Sequence, residues 1–166
     1  MENKNLKTVL KLELQHMVEH NALIEAAIIM TSDGLLVERI DKKKYNLKRL
    51  ATMGCTLISL GDTITTELSM GNCRNMISEN EHGGVAFMHI NEDYLLVTVT
   101  EKINSLGLLL VASRNCCQSI ANYIEANESF SKKDFLFRAK ISRKEAKESR
   151  FWLACLENNI QTELET

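Results

Sequence analysis

Two histidines four positions apart, His16 and His20, are the first residues whose type and spacing could do chemistry. On a helix both imidazoles would face one side and could share a metal ion. Position 17 is Met where a metalloprotease helix has Glu, and no cysteine pair stands at zinc spacing, so the reading is a solvated helix face. His82-Gly83-Gly84 could form a small backbone nest for an anion, but between strand-like runs it reads as a hairpin turn. His89 alternates with Phe87 and Met88 and reads as a half-buried strand residue. Cys116-Cys117 could be a redox pair, yet adjacent cysteines bridge only with strain, so two buried thiols on a helix are expected. GxxxxGK[ST], GxSxG and CxxC are all absent. No acid, base and nucleophile converge on a catalytic set, and we assign no catalytic residue, cofactor or metal: the chain reads as a non-enzyme. Lys42-Lys43-Lys44, and Arg143, Lys144, Lys147 and Arg150, are basic runs whose default is a solvated face, with an acidic partner or RNA as the alternative.

The element that would have to organise a binding surface is the segment from Asn46 to Leu68. Its apolar and small residues fill an arc of roughly 220°, whereas a helix on one core needs a stripe only a little wider than ~100°. The excess predicts a second partner. Gly54 and Gly61, seven apart, mark a place where another backbone comes close, because glycine inside a helix costs about 1 kcal/mol relative to alanine. A second helix is the favoured neighbour, and the helix's own sheet is the other.

Around it, Leu6, Val9, Leu10, Leu14 and Met17 predict a helix from Asn5 to His20. Ala26 to Thr31, the Asp33-Gly34 turn and Leu35 to Ile40 predict a hairpin. Asn72 to Glu79, Val85 to Ile90 and Tyr94 to Thr100 predict three more strands, parted by His82-Gly83-Gly84 and by Asn91-Glu92-Asp93. Asn104 and Ser105 offer N-caps to a helix running to Glu125. The predicted order is α-β-β-α-β-β-β-α. Residues 1–126 form one domain, 127–133 a polar linker, and 134–166 a long helical extension opened by a Ser131/Asp134 capping box.

With 166 residues, 45% hydrophobic and 25% charged, the composition is that of a soluble globular protein, and a net charge of −2 gives no general pull toward nucleic acid or acidic lipid. No run approaches the ~20 apolar residues of a membrane span. Five cysteines, an odd number, fit reduced thiols and a cytoplasmic setting.

Ala26 to Gly34 (AAIIMTSDG), Leu50 to Leu60 (LATMGCTLISL) and Tyr94 to Gly107 (YLLVTVTEKINSLG) together resemble the first hairpin, central helix and last strand of a roadblock domain, the family of the roadblock dynein light chains and of partners of small Ras-like GTPases. The resemblance spans Asn5 to Ile124. It implies an α+β, profilin-like sandwich: a five-stranded antiparallel sheet, with the central helix on one face and the first and third helices on the other. It also implies dimers, with itself or with a second roadblock protein, through antiparallel central helices and edge-to-edge third strands. Carried onto this chain, the contacts are Leu50, Met53, Gly54, Leu57, Leu60, Gly61 and Ile64, with Cys73, Asn75 and Ile77 on the edge strand. Separately, Lys132 to Glu157 resembles one helix of the four-helix-bundle proteins encoded within intervening sequences of large-subunit ribosomal RNA genes. Trp152, Leu153 and Leu156 there would need a covering surface and are the expected docking residues of the tail.

The expected function is a non-enzymatic dimer that binds and regulates a small Ras-like GTPase. Arg39, Arg49 and Arg74 stand near the relevant elements, with none singled out as a supplied catalytic arginine. The alternatives are a structural scaffold without GTPase regulation, or ribosome or RNA association through the tail.

Overall fold

The run Ala26–Thr31 (AAIIMT) is apolar without alternation, as a strand needs to be when both of its faces are covered. The computed structural model, which describes residues 2–127 and Arg143, places it in the interior of the sheet. Chain order is α1 (Glu2–His20), β1 (Ala26–Thr31), β2 (Leu36–Asp41), α2 (Leu47–Glu67), β3 (Asn75–Asn80), β4 (Gly83–His89) and β5 (Tyr94–Thr100). An eighth element, α3, covers 106–127. The predicted element order is the one found. The five strands form one antiparallel sheet in the order β2-β1-β5-β4-β3, so β2 and β3 are its edges.

Two apolar layers sandwich the sheet. On one face Leu10, Leu14, Met17 and Val18 of α1 and Leu109, Ala112, Cys116 and Ile120 of α3 pack on Ala27, Ile29, Ala86, Met88 and Leu96. On the other, Leu47, Ala51 and Ile58 of α2 pack on Ala26, Ile28, Met30, Phe87, Leu95 and Val97. Successive strand residues alternate between the layers because side chains in a strand alternate sides. The fold is therefore the expected α+β, profilin-like sandwich with helices on both faces.

Local chemistry sets the boundaries. Gly34, at φ +87°, turns β1 into β2. Asn46 caps α2 by accepting from the Arg49 amide at 3.2 Å. Ser105 stands at the N-cap of α3, its carbonyl accepting from the Leu109 amide at 3.0 Å. One boundary differs from expectation. Asn80 pairs with Gly83, so Glu81-His82 is the turn between β3 and β4, and Gly83-Gly84 belongs to β4. The linker after Asn127, the extension over 134–166 apart from Arg143, and Trp152, Leu153 and Leu156 with it, lie outside the described residues.

Buried hydroxyls lock α3 onto β5. Ser113 donates to the Leu109 carbonyl at 2.7 Å, which leaves its oxygen to accept from Thr98 at 2.8 Å, and both residues are fully buried. Thr100 and Ser105 make a second buried pair at 3.1 Å. Thr98→Val is expected to cost about 1–2 kcal/mol, because it strands a buried acceptor. Adding Ser113→Ala should cost less than the sum of the two single changes, measured by urea unfolding of the four proteins of the cycle.

Candidate functional site

The side of α2 turned from the sheet is where apolar surface is left over. Leu47, Ala51 and Ile58 are buried against the strands, while Met53, Leu60 and Ile64 are 58%, 54% and 46% exposed. Leu50 and Leu57 are half-buried at the boundary. Met53, Leu57, Leu60 and Ile64 thus form an outward ridge at helical spacing, between polar Arg49, Thr52, Thr56, Ser59, Thr63 and Glu67.

Three residues expected on a shared surface lie elsewhere. A Cβ on Gly54 would sit 2.9 Å from Met30 Cε and from the Phe87 ring, and one on Gly61 would sit 2.8 Å from Cys73 Sγ. Both glycines therefore admit the helix to its own sheet, not to a second helix. Cys73 precedes β3 and is buried beneath α2. Asn75 and Ile77 do lie on the edge strand. They pair with Met88 and Ala86, which belong to the layer under α1 and α3, so they face that side, with Ile77 40% exposed.

The two edges differ in a way that matters for pairing. Edge strands are normally guarded against another chain by charges and bulges. β2 carries Glu38, Arg39 and Asp41, and its register with β1 shifts between Ile29 and Met30. β3 presents Asn75-Met76-Ile77-Ser78 with no charge until Glu79. It is the unguarded edge, and its Met76 lies against α2 at Gly61.

Beside the start of β3 a cleft of about 910 Å³ opens between α2, β3, β4 and α3. Asp62, Arg74, Asn75, His89, Glu92 and Arg114 are among its polar lining residues. Asp62 is taken by His89, with 3.5 Å between Oδ2 and Nε2. Neither Arg74 nor Arg114 has a hydrogen bond or ion pair among the described residues. Sequence reasoning named Arg74 only as one of three loose arginines and missed Asp62 and Arg114. No spacing signals the cleft, because it exists only once α3 crosses beside β4.

The remaining candidates resolve into structural roles. His20 Nδ1 donates to the His16 carbonyl at 2.8 Å and the two rings lie 4.2 Å apart. Among the described residues no group of three or more His, Cys, Asp or Glu side chains is placed to hold a metal ion. Two of the three lysines before α2 are engaged: Lys42 donates to the Ile24 carbonyl at 2.7 Å, and Lys43 pairs with Glu101. The Glu101 carboxylate accepts from Lys43 and Tyr45, which holds its pKa below the usual range. Burial, then the bond to Glu101, pushes the Tyr45 phenol up. Burial pushes the Cys116 and Cys117 thiols up to about 12. The thiolate being the reactive form, both are expected to stay unlabelled by iodoacetamide at about pH 8 in the folded protein and to label fully in denaturant, read by peptide mass spectrometry. Among the described residues no helix is long and apolar enough to cross a membrane.

Solved structures with this architecture include the gliding protein MglB from Thermus thermophilus, at 16% identity over 73% of this chain and 92% of that one, TM-score 0.66. A roadblock/LC7 domain from Streptomyces avermitilis matches at 15% identity over 69% of this chain and 97% of that one, TM-score 0.63. An MglB with a tetrameric arrangement matches at 17% identity over 69% of this chain and 86% of that one, TM-score 0.62. These identities establish a shared fold. No protein-family model matches the chain, and no curated protein matches it in sequence.

Proposed function

We propose that this protein is a non-enzymatic dimer, built through the outward ridge of α2 and the edge of β3, that presents the paired helices to a small Ras-like GTPase and regulates it. The observation that carries the dimer is the ridge: Met53, Leu60 and Ile64, each about half exposed, on a domain whose β3 edge is also unguarded. Covering such side chains contributes on the order of 1 kcal/mol each, since full burial of a residue of this size is worth about 1.5–3 kcal/mol. Antiparallel α2 helices and a continuous sheet would cover both features with one copy of the same surface, as a two-fold interface requires. A tetrameric arrangement in one structure of the same fold supports self-association.

The GTPase partner rests on the roadblock resemblance of the hairpin, central helix and last strand, and on the roadblock/LC7 structures that share the fold. Regulation would act by holding the GTPase's switch segments or by aligning its own catalytic groups. The test measures GTP hydrolysis and nucleotide exchange by candidate Ras-like GTPases with and without the protein. A changed rate supports regulation, and binding with both rates unchanged makes the protein a scaffold.

A further inference from the structure

We propose that Glu79 of a second copy enters the cleft at the start of β3, between Arg74 and Arg114, and that this contact sets the register in which two β3 strands pair. The proposal rests on the dimer argued above. β3 is self-complementary in charge: its start adjoins Arg74, which has no partner among the described residues, and its end carries Glu79 and Glu81, which have none either. An antiparallel pair related by a two-fold axis lays the start of one strand against the end of the other, so the basic and acidic ends meet twice.

Side-chain alternation restricts how they meet. Directly opposed residues project from the same face, and a slip by one residue sends every side chain to the wrong one. The two-fold must therefore pass beside a residue and not between two; beside Asn75 it leaves most of the strand unpaired and beside Glu79 it opposes like charges, so Met76, Ile77 and Ser78 remain. Centred on Met76, Glu79 falls opposite Cys73, ahead of the strand and buried. Centred on Ser78, the Glu79 carboxylate opposes Ile77 and leaves that exposed apolar side chain without a match. Centred on Ile77, the two Ile77 side chains cover each other and Glu79 opposes Asn75. Asn75 lines the cleft with Arg74 and Arg114, on the face that carries α3. Asp62 and Glu92 of the same chain also line the cleft, but Asp62 contacts His89 and neither acid is paired with Arg74 or Arg114, so the two guanidinium groups remain for the incoming carboxylate.

The experiment is a dimer dissociation constant by sedimentation, with a cross-linking arm. Glu79→Arg is expected to raise Kd at least about tenfold, since two opposite-charge contacts become repulsive. Arg74→Glu with Arg114→Glu should do the same, and the three changes together should return Kd to within about threefold of the parent. Ile77→Cys should form an inter-copy disulfide under mild oxidation, while Met76→Cys and Ser78→Cys should not. A dimeric parent whose Kd is unmoved by Glu79→Arg overturns the salt contact, and cross-linking at Ser78 or Met76 in place of Ile77 overturns the register. A parent that is monomeric at about 50 µM instead removes the dimer beneath both.

Discussion

Leu60→Asp is expected to leave the fold intact and abolish self-association, raising the dimer dissociation constant by at least about 100-fold, or roughly 2.7 kcal/mol. Leu60 lies on the side of α2 away from the sheet and is more than half exposed in the single chain, so a carboxylate there meets water and its effect on monomer stability should stay within about 0.5 kcal/mol. In an antiparallel helix pair the same carboxylate would be forced against the apolar ridge of the second copy, twice per dimer. Ile58→Asp, two positions away, is the contrasting change. Ile58 is buried on the strands, so that variant should fail to fold. Sedimentation of the two variants beside the parent checks both statements. A Leu60→Asp protein that dimerises as tightly as the parent would show that the ridge is not the interface. If the GTPase needs both helices, the monomer should also lose whatever effect the parent has on GTP hydrolysis, even at saturating concentration.

What could be read from the sequence follows from the range of the forces involved. The strand Ala26–Thr31 and the strand Tyr94–Thr100 were legible to the residue because each is a dense β-favouring run bounded by turn residues, and local propensity agrees with tertiary burial. The wide arc of α2 was legible because helical periodicity projects directly onto faces, and it divides as expected into a sheet side and an outward side. The place of the glycines is encoded in the same periodicity. Leu47, Ala51, Gly54, Ile58 and Gly61 follow one another at spacings of four, three, four and three, so both glycines continue the stripe that meets the sheet. The turn at Glu81-His82 was misplaced because Gly83-Gly84 carries a stronger turn signal than its strand role warrants. The cleft is different in kind: Arg74 and Arg114 come to line one cleft only through the crossing of α3 beside the β3–β4 hairpin, and no short-range pattern encodes that.

Gly83→Ala should be among the most damaging single changes that add only a methyl group. Gly83 holds φ at +143°, which an L side chain rarely adopts, and the added Cβ would lie 2.0 Å from the Thr100 carbonyl oxygen and 2.7 Å from Glu101 Cα. These are backbone atoms of β5 and the residue after it, so no side chain can swing aside to relieve the contact. Either β4 and β5 separate at this end or the turn at Glu81-His82 rearranges. Separation would also disturb Thr100, whose hydroxyl is paired with Ser105 at the start of α3. The expected loss is about 3–5 kcal/mol, at the upper end of what single substitutions do. At about 4 °C per kcal/mol for a domain of this size, the melting temperature should fall by roughly 12–20 °C. Gly71, also at positive φ but with no atom within 4 Å of an added Cβ, separates the two causes. Gly71→Ala isolates the backbone strain and should cost only about 1–2 kcal/mol. Thermal unfolding of both variants would decide it. Equal losses would mean that the approach of β4 to β5 contributes little beyond the strained φ.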